Sequence, residues 1–156
     1  TVQADVVRLI TEINRVEGTA VVFVSHNIAL ISEICHRVVV MYAGRIVEEL
    51  PADALWAARH PYTQALIASV PTLSTDRSIP LVSIGGQPPD PSALPPGCAF
   101  ADRCPLVEDR CRAAVPELLG APGHRAACFV ANDPAAGGDE PAAGGDDPAA
   151  GDEVRP

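Results

Sequence analysis

Two sets of side chains in this sequence are of types that carry chemistry. One is His26, which follows the continuous apolar run of residues 19–24 and precedes a helical pattern. The other consists of four cysteines spaced C-x5-C-x6-C-x16-C, namely Cys98, Cys104, Cys111 and Cys128. An imidazole at the carboxyl end of a strand is placed to meet a ligand. Four thiols in one short segment can hold a metal or form crosslinks.

His26 alone supports two interpretations. Imidazole donates or accepts a hydrogen bond near neutral pH, which suits contact with a phosphate or an attacking water. The competing interpretation is a structural histidine that caps the following helix or lies at a domain edge. On general grounds the structural interpretation is favoured.

The cysteine spacing indicates a crosslinked segment without fixing the crosslink. No signal peptide opens the sequence, so we expect an intracellular chain in which disulfides are disfavoured. The x5 and x6 gaps do not fit a zinc ribbon, whereas an all-thiolate iron–sulfur cluster tolerates varied spacing. His124 could replace one thiolate in a mixed zinc site. Metal and unligated thiols remain open at this point, and Cys35, which lies far from the four, is expected to be an ordinary buried thiol.

Strand and helix patterns alternate in the first part of the chain, which indicates an α/β fold. We predict a helix over residues 3–17, a buried strand over residues 19–24, and a second helix after His26. A buried strand over residues 37–42 turns at Ala43 and Gly44 into a hairpin partner over residues 46–50. His60 and Pro61 begin another helix; Trp56 and Tyr62 are expected to pack around it, and His36 and His60 to be surface or capping residues.

Composition divides the rest of the chain. The predicted organisation is a core part over residues 1–70, a linker over 71–96 with one short strand near 79–84, a cysteine segment over 97–130 and a disordered tail over 131–156. Seven of the 20 acids lie in the tail, so the remainder of the net charge of −9 is small and gives no basic face for nucleic acid.

A longer stretch carries a family resemblance. Residues 18–48 read GTAVVFVSHNIALISEICHRVVVMYAGRIVE, and residues 60–66 read HPYTQAL. The first closely resembles ABC transporter ATPases, in the order strand, switch histidine, helix and hairpin. The second, together with the four cysteines, resembles the oligopeptide and dipeptide (peptide/nickel) importer subclass. The resemblance implies part of a P-loop NTPase domain lacking its N-terminal half, joined to a small cysteine-rich arm.

The resemblance also implies functions. His26 would contact the ATP γ-phosphate, with Asn27 in place of the more usual Asp, and the family's cofactors would be ATP and Mg²⁺. Expected partners are a second nucleotide-binding subunit, membrane permease subunits and, indirectly, a substrate-binding protein, at the cytoplasmic side of the cell membrane. In some members the four cysteines hold a [4Fe–4S] cluster, a role carried here to Cys98, Cys104, Cys111 and Cys128, with zinc as the alternative.

The ATP site expected from the family is incomplete in this sequence. It contains no lysine, so no G-x-x-x-x-G-K-[ST] loop exists, and the signature motif and the Asp-Glu strand are also absent. We therefore predict that this chain alone does not hydrolyse ATP. A non-enzymatic, metal-binding truncated product that docks on an intact partner is the alternative.

Overall fold

The computed structural model describes residues 2–70 and 83–134, with side chains from residue 5 onward. The predicted strand near 79–84 lies almost wholly outside these residues, as does nearly all of the predicted tail. The elements in chain order are α1 (Val2–Glu17), α2 (Ile28–Ile34), β1 (Arg37–Tyr42), β2 (Arg45–Pro51), α3 (Pro61–Ala68), α4 (Asp109–Ala113), β3 (Leu119–Ala121) and β4 (His124–Ala126). Short 3-10 turns cover Leu55–Ala57 and Ala101–Arg103.

The strands form one antiparallel sheet in the order β1-β2-β4-β3. The α/β class is thus confirmed at the level of a small domain with an antiparallel sheet. The helices predicted over residues 3–17, after His26 and from Pro61 are present as α1, α2 and α3. Among the described residues, no helix is long and apolar enough to cross a membrane.

The prediction of a buried strand over residues 19–24 is wrong. The segment is irregular, and the Val22 and Val24 side chains are 92% and 91% exposed. A strand buried on both faces needs hydrogen-bonded neighbouring strands and covering helices. Among the described residues, no strand pairs with residues 19–24. The apolar composition of a segment does not show whether neighbouring strands are present.

The hairpin prediction is confirmed, with an added irregularity. Ala43 and Gly44 form its turn with φ of 48° and 76°. A bulge shifts the register between Val40 and Met41, which leaves Val47 as the extra residue on β2. Consequently Val47 and Glu48 are both buried although they are adjacent in the chain. β1 is buried on one face only, through Val38, Val40 and Tyr42, rather than on both as predicted.

The cysteine segment completes the core of the hairpin. Phe100 is 1% exposed and belongs to the same apolar cluster as Leu50 and Leu55. Its ring centroid lies 5.3 Å from those of both Tyr42 and Tyr62. β4 also pairs with β2, so strand pairing and side-chain packing join residues 97–130 to the hairpin.

Candidate functional site

All four clustered cysteines line one partly open cavity of about 20 Å³. Cys111 and Cys128 are buried, whereas Cys98 and Cys104 are half-buried. His60 and Phe100 also line this cavity. The structure therefore brings together the four residues that the sequence singled out, and all four are free thiols.

Short turns and one close backbone approach position these thiols. The Cys98 N–H donates to the Cys111 carbonyl at 2.7 Å, and the Ala101 N–H donates to the Cys98 carbonyl at 3.0 Å. The 3-10 turn Ala101–Arg103 then leads directly into Cys104. Cys128 follows β4, and the Ala131 N–H donates to its sulfur at 3.5 Å.

Burial is the main influence on the pKa values of the Cys98 and Cys104 thiols. It raises the pKa of Cys98 and of Cys104, and the neighbouring thiol charges raise both further. Backbone N–H groups of Phe100 and Leu106 oppose this by stabilising the thiolates. Without a cation, these two thiols are therefore protonated and uncharged at neutral pH.

No three His, Cys, Asp or Glu side chains in residues 5–70 and 83–134 are arranged to hold a metal ion. The mixed site with His124 is not supported either, because His124 does not line the cysteine cavity. Its Nε2 lies 3.5 Å from Glu48 Oε1, since β4 pairs with β2 and carries the ring over that carboxylate.

The nearby arginines are held by other groups. Arg103 donates to the carbonyls of Ile84 and Gly85 and, at 3.1 Å, to the Tyr42 hydroxyl. Arg110 pairs with Glu108 at 2.5 Å, and Arg112 pairs with Asp102. These guanidinium groups bind protein oxygens rather than the sulfurs.

His26 lies in a bend immediately before α2, and its side chain is exposed. It does not cap that helix, because Asn27 does: the Asn27 Oδ1 accepts from the Leu30 N–H at 3.2 Å. The Ser25 hydroxyl in turn accepts from the Asn27 N–H at 3.0 Å. The residue next to His26 thus has a structural role that leaves the imidazole free to face solvent.

Sequence reasoning missed a buried carboxylate. Glu48 is 0% exposed, and its two oxygens accept from the backbone N–H groups of Arg59 at 2.6 Å and His60 at 3.2 Å. The available signal was a pair of acids in an otherwise apolar strand. His60 caps α3 as expected, since its Nδ1 accepts from the Tyr62 N–H at 3.0 Å, but it is only 1% exposed.

Two smaller expectations have different outcomes. Cys35 is only partly buried, packs against the core cluster and has a pKa raised by burial, as expected of a structural thiol. Trp56 is 69% exposed, so the prediction that it packs is wrong, whereas Tyr62 does pack against Tyr42. The 3-10 turn Leu55–Ala57 directs Leu55 into the core and leaves the indole outside.

Residues 47–111 match the C-terminal region of the oligopeptide/dipeptide transporter family. These residues run from β2 through Phe100 to Cys111, the third clustered cysteine. These residues are therefore similar to the C-terminal region of oligopeptide/dipeptide transporters. This match confirms the resemblance seen in the sequence.

Individual relatives of this transporter family extend the match over most of the chain. A probable peptide ABC transporter ATP-binding protein of Sinorhizobium fredii is 47% identical over 136 residues, which are 86% of this chain and 38% of that protein. The oligopeptide transport ATP-binding protein OppD of Mycobacterium tuberculosis is 45% identical over 83% of this chain and 21% of its own length. The dipeptide transport ATP-binding protein DppD of Escherichia coli is 40% identical over 86% of this chain and 42% of its own length. The chain thus spans 21–42% of the length of these relatives.

Proposed function

We propose that this chain is part of the ATP-binding subunit of an ABC importer for oligopeptides or dipeptides. The observation that carries the proposal is the 40–47% identity to three ATP-binding proteins of peptide transport over more than four fifths of this chain. ATP and Mg²⁺ would bind to the complete subunit. Permease subunits and a second nucleotide-binding subunit would hold it at the cytoplasmic side of the membrane, with a substrate-binding protein as an indirect partner.

Within that proposal, His26 is the switch histidine at the ATP γ-phosphate. Its exposure and its place immediately before α2 support the role, because the imidazole is accessible to a ligand bound outside the described residues. Asn27 supports it indirectly, since its cap fixes the start of α2 and therefore the bend that carries the histidine. The chain's own residues supply this one polar contact, so the isolated chain is expected to show no ATP turnover.

A chimera tests the transport proposal. The matched C-terminal part of the E. coli dipeptide relative is replaced by this chain, and dipeptide uptake is measured in cells that lack their own subunit. We expect uptake from the chimera and from its His36→Ala control, since His36 is also exposed, and loss of uptake with His26→Ala. A stable, membrane-associated chimera without uptake would contradict the family function, and full uptake with His26→Ala would contradict the histidine's role.

We further propose that Cys98, Cys104, Cys111 and Cys128 hold a structural [4Fe–4S] cluster, with zinc as the alternative. The donor set supports a thiophilic metal, because four thiols and no carboxylate line the cavity and backbone N–H groups face three of the sulfurs. A cavity of about 20 Å³ accommodates roughly one water molecule, so the thiols would have to move apart to hold the cluster. When bound, the metal would supply a crosslink for a small segment.

Metal analysis separates the two cofactors. The full chain is purified without oxygen, and iron, sulfide and zinc are measured together with the thermal midpoint before and after chelation. We expect four irons and four sulfides per chain, by the composition of the cluster, with a lower midpoint on removal. Cys104→Ser should abolish binding and Cys35→Ser should not. Stoichiometric zinc would replace the cluster assignment, and a metal-free chain would reject both.

A further inference from the structure

Among the described glycines, Gly97 leaves the least room for a side chain. A Cβ at this position would lie 2.3 Å from the Cys111 carbonyl oxygen and 2.6 Å from the Arg112 carbonyl carbon. Only glycine allows two chain segments to touch at that distance. The next residue, Cys98, then donates its N–H to the same Cys111 carbonyl at 2.7 Å.

This contact brings two cysteines side by side. A backbone N–H that donates to a carbonyl at 2.7 Å holds the two Cα atoms within roughly 6.6 Å of each other, because only the N–Cα bond and the O=C–Cα link extend beyond the bonded atoms. Disulfides span Cα distances of about 4.4–6.8 Å. Both side chains line the same cavity.

We propose that Cys98 and Cys111 form an intramolecular disulfide when the metal-free chain meets a small disulfide oxidant such as oxidised glutathione. Their difference in exposure sets the order of attack. Cys98 is half-buried and is therefore the more accessible of the two, whereas Cys111 is 7% exposed and is reached chiefly through Cys98. The inference does not depend on the transport proposal.

The reaction balances as two thiol–disulfide exchanges. Cys98 Sγ loses its proton to solvent and attacks one sulfur of oxidised glutathione, which forms a mixed disulfide and releases the first reduced glutathione. Cys111 Sγ then loses its proton and attacks the Cys98 sulfur, which releases the second. Two protein thiols are oxidised, and one glutathione disulfide is reduced to two thiols.

Peptide mapping tests the pairing. The full chain is reduced, freed of metal with a chelator, treated with oxidised glutathione, alkylated and digested without reductant. We expect the main crosslinked peptide to join Cys98 to Cys111. A dominant crosslink between any other pair, or no intramolecular crosslink, would overturn the proposal.

Variants test the geometric cause. With Cys111→Ser, the mixed disulfide on Cys98 should persist and the crosslink should disappear, whereas Cys35→Ser should leave the crosslink unchanged. Gly97→Ala should lower the crosslink yield because the new Cβ separates the two segments. Gly85→Ala is its matched control, since a Cβ there meets no atom within 4 Å. A folded Gly97→Ala chain that forms the crosslink as fast as its control would reject the geometric cause.

Discussion

Glu48 is the residue on which the hairpin, α3 and β4 converge. Its carboxylate accepts from two consecutive backbone N–H groups ahead of α3 and faces His124 on β4. The bulge at Val47 turns this side chain inward, since regular alternation would place adjacent residues on opposite faces. A buried acid is retained here because its partners are backbone groups that would otherwise lack an acceptor.

Replacing Glu48 by Gln should destabilise the fold. The amide presents a donor where the carboxylate presented an acceptor, so one backbone N–H loses its partner, at a cost of about 1–3 kcal/mol. The measurement is urea unfolding of both variants, with Glu117→Gln as the exposed control. Equal midpoints for the two variants would show that the Glu48 contacts contribute no net stability.

His60 makes stability depend on pH. Burial lowers its pKa to about 4, from an unfolded value near 6.5. Between pH 6.5 and pH 4 the unfolded chain binds a proton at His60 that the folded chain does not. The contribution of the neutral imidazole to the free energy of unfolding is therefore complete above pH 6.5 and is lost as pH falls toward 4. The total loss is on the order of 3 kcal/mol. The His60→Asn variant keeps a capping side chain but has no imidazole to protonate. Its free energy of unfolding should therefore fall less than that of the parent between pH 6.5 and pH 4. Parallel pH profiles of the two proteins would contradict the assignment.

The hairpin is the element that the sequence predicted best. Its run of consecutive valines over residues 38–40 and its two-residue Ala43-Gly44 turn are local features, and a sequence shows local features directly. The segment of residues 19–24 has an equally strong strand composition, yet it is irregular, because a strand also requires partners that composition does not report. The bulge, the burial of Glu48 and the exposure of Trp56 depend on long-range pairing and were not predictable for the same reason.

Ala43→Asn should stabilise the hairpin. Ala43 has a φ of 48°, in the left-handed region that asparagine tolerates better than alanine, and Asn-Gly is the preferred two-residue turn. We expect a gain of about 0.5–1 kcal/mol in the free energy of unfolding. Gly44→Ala should act in the opposite direction through backbone strain alone, since a Cβ at residue 44 would meet no atom within 4 Å. A loss of stability in Ala43→Asn would indicate that the turn rearranges.

At the scale of the molecule, the cysteine segment behaves as part of the hairpin domain. The sequence located all four cysteines and predicted that they converge, because their spacing is unusual. It did not reveal that Phe100, between two of them, fills the core of the hairpin. The predicted division between residues 1–70 and 97–130 remains a prediction about folding units.

Unfolding of the reduced, metal-free chain should therefore be a single transition. Near-UV circular dichroism of the packed Tyr42 and Tyr62 rings reports the hairpin side, and pulsed alkylation of buried Cys111 reports the cysteine segment. We expect the two urea midpoints to coincide, since both regions share one core. Separate midpoints would support two independent units.

The hydrogen bond between Arg103 and the Tyr42 hydroxyl joins residues 61 positions apart. At a synthesis rate of about 5–20 residues per second, the hairpin is synthesised several seconds before Phe100 and Arg103. During that interval the apolar cluster that contains Val38, Val40 and Leu50 lacks Phe100. The nascent hairpin is therefore exposed to chaperones and proteases for a time set by translation speed. Slow codons between residues 51 and 100 would lengthen this exposure and lower the yield of folded chain without changing an amino acid.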